Sequence, residues 1–110
     1  MTALPLAVGA LLVAGCETAP PPPDTLAFAQ AACGGCHAVE AYDLSPEPAA
    51  PAFAEIANRE GLTEATLATW LRDAHNYPEA MDFTLEGHHI EALVAHILAL
   101  RRADYRPPIS

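Results

Sequence analysis

The chain has 110 residues and a formal net charge of −9, and all five of its basic residues are arginine. A chain of this length forms one domain at most, and its acidity argues against nucleic acid or an anionic membrane surface as the main partner. Its three cysteines are an odd number, and their positions predict separate chemistry for Cys16 and for the pair Cys33 and Cys36.

Residues 1–15 have the composition of an export signal peptide. They contain no charged side chain, and the apolar run is shorter than the roughly 20 residues that span a bilayer. The segment Leu12-Val-Ala-Gly-Cys16 resembles a bacterial lipobox, although no Lys or Arg precedes it. The resemblance implies cleavage before Cys16 and diacylglycerol on its thiol. The alternative is an ordinary cleaved signal peptide that contains a cysteine.

Residues 16–23 are predicted to form a stiff tether. Four consecutive prolines, Pro20 to Pro23, favour polyproline II, which extends about 3.1 Å per residue. We expect this segment to hold the domain at residues 24–110 away from a membrane. A disordered N-terminus is the alternative.

The domain is predicted to be all-α, because no segment shows the alternating pattern of a half-buried strand. Asp24 or Thr25 is expected to cap a first helix that ends at about Ala32. An irregular proline-rich loop over residues 38–52 follows, and then a short helix over residues 53–58.

Two further helices are predicted in the second half of the domain. Thr63 is expected to cap one from Glu64 to about Ala74, and Thr84 to cap another over about residues 85–101. The apolar stripe predicted for the last helix comprises Ile90, Leu93, Ile97 and Leu100, with Val94 and Leu98 beside it. Arg101 and Arg102 would then lie where the helix dipole favours cations.

The segment Cys33-Gly34-Gly35-Cys36-His37 has the C-x-x-C-H pattern of c-type haem attachment. Two thiols add to the two vinyl groups of haem, the small residues between them let the backbone fold close to the ring edge, and His37 offers its imidazole to the iron. A thioredoxin-like dithiol would need a βαβ context, and a zinc site a second ligand pair. The motif therefore predicts one covalent haem c.

Together with this motif, residues 24–102 resemble class I cytochromes c, in particular the short bacterial kind. The resemblance rests on the helix before Cys33, on Ala50-Pro51-Ala52-Phe53, on Trp70-Leu-Arg-Asp73, on Tyr77-Pro-Glu-Ala-Met-Asp-Phe83 and on the Leu/Ile-rich last helix. It implies a small cytochrome c fold in which about three to five helices surround one haem.

The resemblance also implies roles for individual residues. Met81 matches the family's second axial ligand, and Pro51 matches the proline whose carbonyl accepts a hydrogen bond from the proximal imidazole, here His37. The haem-packing aromatic residues would be Trp70, Tyr77 and Phe83. Phe28 and the surface of residues 93–98 match the family's contact between first and last helices.

Two positions depart from the family pattern, and both concern that helix contact. Thr25 stands where the family often has glycine, and His96 where it usually has an aromatic residue.

The remaining histidines leave one alternative ligand open. His75 precedes Met81 by six residues and is the rival sixth ligand. His88 and His89 are adjacent, so on a helix they point about 100° apart, and we expect them to be solvated and not to share a metal.

Ligation by histidine and methionine raises the haem potential and leaves no open iron position, which suits an electron carrier better than an enzyme. The prediction is a single-haem protein, lipid-anchored to a bacterial membrane in the periplasm, that transfers electrons between periplasmic or membrane-bound redox proteins. The alternatives are a haem enzyme or sensor with an open iron site and a fixed haem subunit of a larger oxidoreductase. With a net charge of −9 and no lysine, the docking face cannot be a lysine ring; acidic residues around an apolar haem edge near Gly34 and Gly35 are expected to steer it toward a basic partner, with association slowed by salt.

Overall fold

In the computed structural model, the described residues are 2–5, 9–10, 22–73, 81 and 83–107. They contain four helices: α1 (Thr25–Ala32), α2 (Phe53–Ala57), α3 (Glu64–Asp73) and α4 (Gly87–Leu98). No strand occurs within these ranges, so the all-α class is confirmed for them. No helix in the described ranges is both long enough and apolar enough to cross a bilayer. Cys16 lies outside these ranges, as does most of the proposed signal peptide and tether.

Helix α4 is central to the packing, because α1, α2 and α3 each contact it. Its buried residues recur at helical spacing, as the sequence predicted: Ile90, Leu93, Val94 and Ile97. They form one core with Ala29, Val39, Phe53, Ile56, Ala57, Leu67 and Leu71. The segment after His37 thus belongs to the same core as the helices, through Val39.

The bounds of α1 agree with the sequence, but its predicted side-chain cap is wrong. Asp24 occupies the N-cap position without a capping hydrogen bond from its side chain. Its backbone is helical (φ −88°, ψ −2°), whereas a capping residue normally has extended backbone that aims the side chain at the free amides. Instead, the Thr25 amide donates to the Pro22 carbonyl at 2.9 Å.

Thr63 caps α3, as predicted. The Thr66 amide donates to Thr63 Oγ1 at 3.1 Å, and the Thr63 amide donates to Thr66 Oγ1 at 3.0 Å. This reciprocal pair satisfies two amides at the helix start in the same way as a capping box. Gly61, with φ of +78°, lies in the turn between α2 and α3, where a left-handed conformation favours glycine.

The predicted start of α4 is wrong. Thr84 does not cap it, because the chain stays extended through Glu86 (φ −72°, ψ 151°) and the helix begins at Gly87. The Glu86 carbonyl accepts the first hydrogen bonds, from the amides of His89 and Ile90, each at 3.0 Å.

The predicted end of α4 is also wrong, since the helix stops at Leu98. Beyond it the side chain of Arg101 donates from Nε to the Ala57 carbonyl at 2.9 Å and from a terminal nitrogen to the Leu62 carbonyl. Arg101 therefore stabilises the turn after α2, and its side chain is not directed to the C-terminal carbonyls of α4, where the helix dipole would favour a cation.

The contact between α1 and α4 is present despite Thr25 and His96. Ala29 is fully buried at this crossing, and Thr25 is buried as well. Phe28 stacks on the ring of His89, with centroids 3.8 Å apart and planes inclined by 4°. His89 is thus the ring partner of Phe28, one turn before the 93–98 surface that the resemblance implied.

Candidate functional site

The motif Cys33–His37 forms a tight turn that continues directly from α1. The Cys33 amide donates to the Ala29 carbonyl at 2.8 Å, and the amides of Cys36 and His37 donate to the Cys33 carbonyl at 3.2 and 2.9 Å. A Cβ at Gly34 would lie 2.5 Å from the Gln30 carbonyl oxygen, so glycine allows this close approach. The end of α1 therefore positions both thiols and the imidazole within one turn of chain.

Cys33 and Cys36 are not joined by a disulfide, and they differ in environment: the first is half-buried and the second is exposed. Burial raises the pKa of the Cys33 thiol to about 11. Cys33 is therefore protonated at neutral pH, which makes it a poor nucleophile for disulfide exchange.

The imidazole of His37 is held by the loop that returns to it. Its Nδ1 lies 2.6 Å from the Pro51 carbonyl oxygen, the hydrogen bond that the resemblance implied. Because a carbonyl oxygen only accepts, Nδ1 carries the proton and Nε2 keeps the lone pair that a metal requires. The Phe53 ring lies beside the imidazole, with centroids 5.8 Å apart.

Backbone hydrogen bonds fix the loop that places Pro51. The Phe53 amide donates to the Ala38 carbonyl at 2.9 Å, and the Glu47 amide donates to the Cys36 carbonyl at 3.1 Å. The Ala38 amide in turn donates to Ser45 Oγ at 3.1 Å. The irregular loop predicted over residues 38–52 is thus tied at both ends to the Cys33–His37 turn.

His96 has a structural role that sequence reasoning missed. Its Nε2 donates to the Val39 carbonyl at 2.7 Å, and its ring meets the Phe53 ring edge-on. It therefore fixes the segment that immediately follows His37. The sequence does hold a sign of this role: His96 lies beside the buried stripe of an apolar helix, where a polar group requires a hydrogen-bond partner.

The other predicted haem-site residues are placed only in part. Met81 is half-exposed ahead of α4, and its carbonyl accepts from the Phe83 amide at 3.0 Å. Trp70 is 40% exposed and Phe83 is 38% exposed. Tyr77 and the rival ligand His75 lie outside the described residues. The roles of all five toward haem stay predictions.

A second group of possible ligand atoms lies at the start of α4. In the described part of the chain, Glu86, His88 and His89 are the only three such residues whose ligand atoms all lie within 4.8 Å of one another. The rings of His88 and His89 lie closer together than the expectation of diverging side chains implied, with centroids 4.0 Å apart. The two residues point about 100° apart on the helix, but their side-chain rotamers bring the imidazole rings together. His89 is also half-buried rather than solvated.

Comparisons of the chain with protein-family models, with curated proteins and with solved structures find no match. Function is therefore inferred from the residues of this chain.

Proposed function

We propose that the domain holds one covalent haem c through Cys33, Cys36 and His37 and transfers electrons between redox proteins. The observation that carries the proposal is the His37–Pro51 hydrogen bond, which leaves Nε2 free directly after two unpaired thiols. Bound haem supplies one-electron exchange between ferric and ferrous iron.

The chemistry of the residues present fits this group. Cys33 and Cys36 offer two thiols for two thioether bonds, and His37 offers a nitrogen whose tautomer and orientation are set by a carbonyl behind it. Trp70 and Phe83 each expose about two-fifths of their surface. Such aromatic surface suits contact with a large apolar cofactor.

Two rival uses of the motif fit less well. A dithiol that exchanges disulfides needs a thiolate, and the pKa of Cys33 is raised to about 11. Direct binding of zinc would need ligand atoms grouped around one point, and within the described residues Cys33, Cys36 and His37 do not form such a group.

Met81 distinguishes an electron carrier from a haem enzyme or sensor. A thioether from Met81 would close the sixth position of the iron, whereas an enzyme that binds a small ligand needs this position open. Met81 is the only methionine other than Met1, so sulfur ligation in the processed protein would have to come from it.

The test is the Met81→Ala variant of the haem-loaded protein. We expect the haem to stay covalently attached, the sulfur-ligation band near the red end of the ferric spectrum to disappear, and carbon monoxide to bind the ferrous form. The reduction potential should fall by about 100 mV or more, because a neutral thioether favours ferrous iron. Optical spectra report haem attachment, the sulfur-ligation band and carbon monoxide binding, and a redox titration measures the potential.

The matched control is His75→Ala, which removes the rival ligand and should leave spectrum and potential unchanged. If wild-type protein already binds carbon monoxide readily, the open-site alternative replaces the carrier. If the Cys36→Ser variant keeps haem attached through two thioether bonds, the attachment site itself is wrong.

A further inference from the structure

The first turn of α4 concentrates three metal-ligating side chains that the proposed haem site does not use. Glu86, His88 and His89 contribute one carboxylate oxygen and two imidazole nitrogens, all within 4.8 Å of one another. His88 Nδ1 and Glu86 Oε2 are 3.4 Å apart. In a tetrahedral site with metal–ligand bonds of about 2.05 Å, neighbouring ligand atoms lie about 3.3 Å apart. This pair therefore already has the spacing of two ligands on one ion.

The scaffold beneath these side chains is held in place. The Glu86 carbonyl accepts hydrogen bonds from the amides of His89 and Ile90, which fixes the backbone of the acid relative to the helix. Phe28 of α1 stacks on His89 with ring planes inclined by 4°, which limits the orientation of that imidazole. The imidazole of His89 is thus restrained by the fold, whereas the side chains of Glu86 and His88 are exposed and can turn toward it.

We propose that Glu86, His88 and His89 bind a divalent transition-metal ion, with zinc as the reference ion. Two imidazoles and one carboxylate match the ligand preference of zinc, nickel and cupric copper, whereas calcium and magnesium prefer oxygen ligands alone. Three protein ligands leave at least one position for water or for a side chain of another protein. The positive end of the α4 dipole repels a cation, and the negative charge of Glu86 offsets this repulsion.

The three ligands include none of the residues proposed to bind haem. The test is titration of the haem-loaded full chain with zinc chloride in an isothermal calorimeter, after removal of free metal with a chelator. We expect one zinc per chain. His88→Gln and Glu86→Gln should each weaken binding at least about tenfold, because even the loss of a residue that only supports a ligand costs 10- to 100-fold.

The matched control is Glu91→Gln, which removes an exposed carboxylate from the same helix and should leave the affinity unchanged. Binding that is equal in wild type, His88→Gln and Glu86→Gln would place the zinc elsewhere and overturn the proposal, as would the absence of binding at millimolar zinc. Since both variants change exposed side chains and leave Cys33, Cys36 and His37 intact, a failure here is distinguishable from a failure of the haem assignment.

Discussion

His96 links the last helix to the segment that carries the proposed iron ligand. The Val39 carbonyl that accepts its hydrogen bond belongs to a residue only 1% exposed. A buried carbonyl without a partner costs about 1–3 kcal/mol. A phenylalanine at position 96 could fill the space but could not donate to this carbonyl.

We therefore expect His96→Phe to lower the free energy of unfolding by about 1–3 kcal/mol, measured by denaturant titration of the haem-loaded protein. His88→Phe, compared with wild type after metal is removed with a chelator, is the matched control, because it makes the same change on the exposed side of the same helix and should stay within about 0.5 kcal/mol of wild type. Equal stability of His96→Phe and wild type would mean that packing of the ring, and not the hydrogen bond, sets the contribution of residue 96.

At the level of helices, the turn after α2 is joined to the chain that follows α4. Asn58 Nδ2 donates to the Ala54 carbonyl at 2.7 Å, and Asn58 Oδ1 accepts from the Arg102 amide at 3.0 Å. One side chain thus completes the end of α2 and fixes the chain after α4. The α2 helix has only five residues, too few to be stable without such contacts.

Asn58→Ala should consequently cost about 1–3 kcal/mol of unfolding free energy, since three hydrogen bonds at about 1 kcal/mol each are lost in a half-buried place, the third from Nδ2 to the Leu100 carbonyl at 3.4 Å. Glu60→Ala, two residues further along and exposed, is the control and should be close to neutral. Chemical denaturation followed by far-UV circular dichroism measures both. An Asn58→Ala protein as stable as the control would show that apolar packing of Phe53 and Ile56 suffices to hold α2.

For the molecule as a whole, the proposed arrangement is a small electron-transfer domain held at a membrane by a lipid on Cys16. Cys16 and most of the proposed tether lie outside the described residues, so anchoring stays a prediction from the lipobox-like segment. Electron transfer would then take place with redox proteins close to the same membrane surface.

Cys16→Ser should abolish lipid attachment and release a soluble protein that keeps its haem, because residues 24–110 contain every proposed haem-binding residue. Intact mass and the distribution between membrane and periplasmic fractions measure the change. Thr18→Ala, next to the same cleavage site, should remain lipidated and membrane-bound. Wild-type protein recovered without lipid in the periplasmic fraction would refute the lipobox interpretation.

Local sequence was enough to predict α1, α2, α3 and the Cys33–His37 turn. Apolar spacing, a threonine cap and glycines in turns act within a few residues, so their effects can be read without the fold. The buried stripe of α4 was predictable for the same reason. The proposed haem motif is a contiguous run of five residues, and the chemistry proposed for it follows from their identity.

Contacts between distant residues decided the rest. Arg101 donates to carbonyls of the turn after α2, His96 to the segment after His37, and His89 stacks on Phe28, and each pairing joins positions more than 35 residues apart. Helical spacing gives the direction of a side chain on its own helix but not the partner that another element brings to it. For this reason the roles of Arg101 and His96 follow only from the packed helices, whereas Glu86, His88 and His89 group within one turn of chain through their side-chain rotamers.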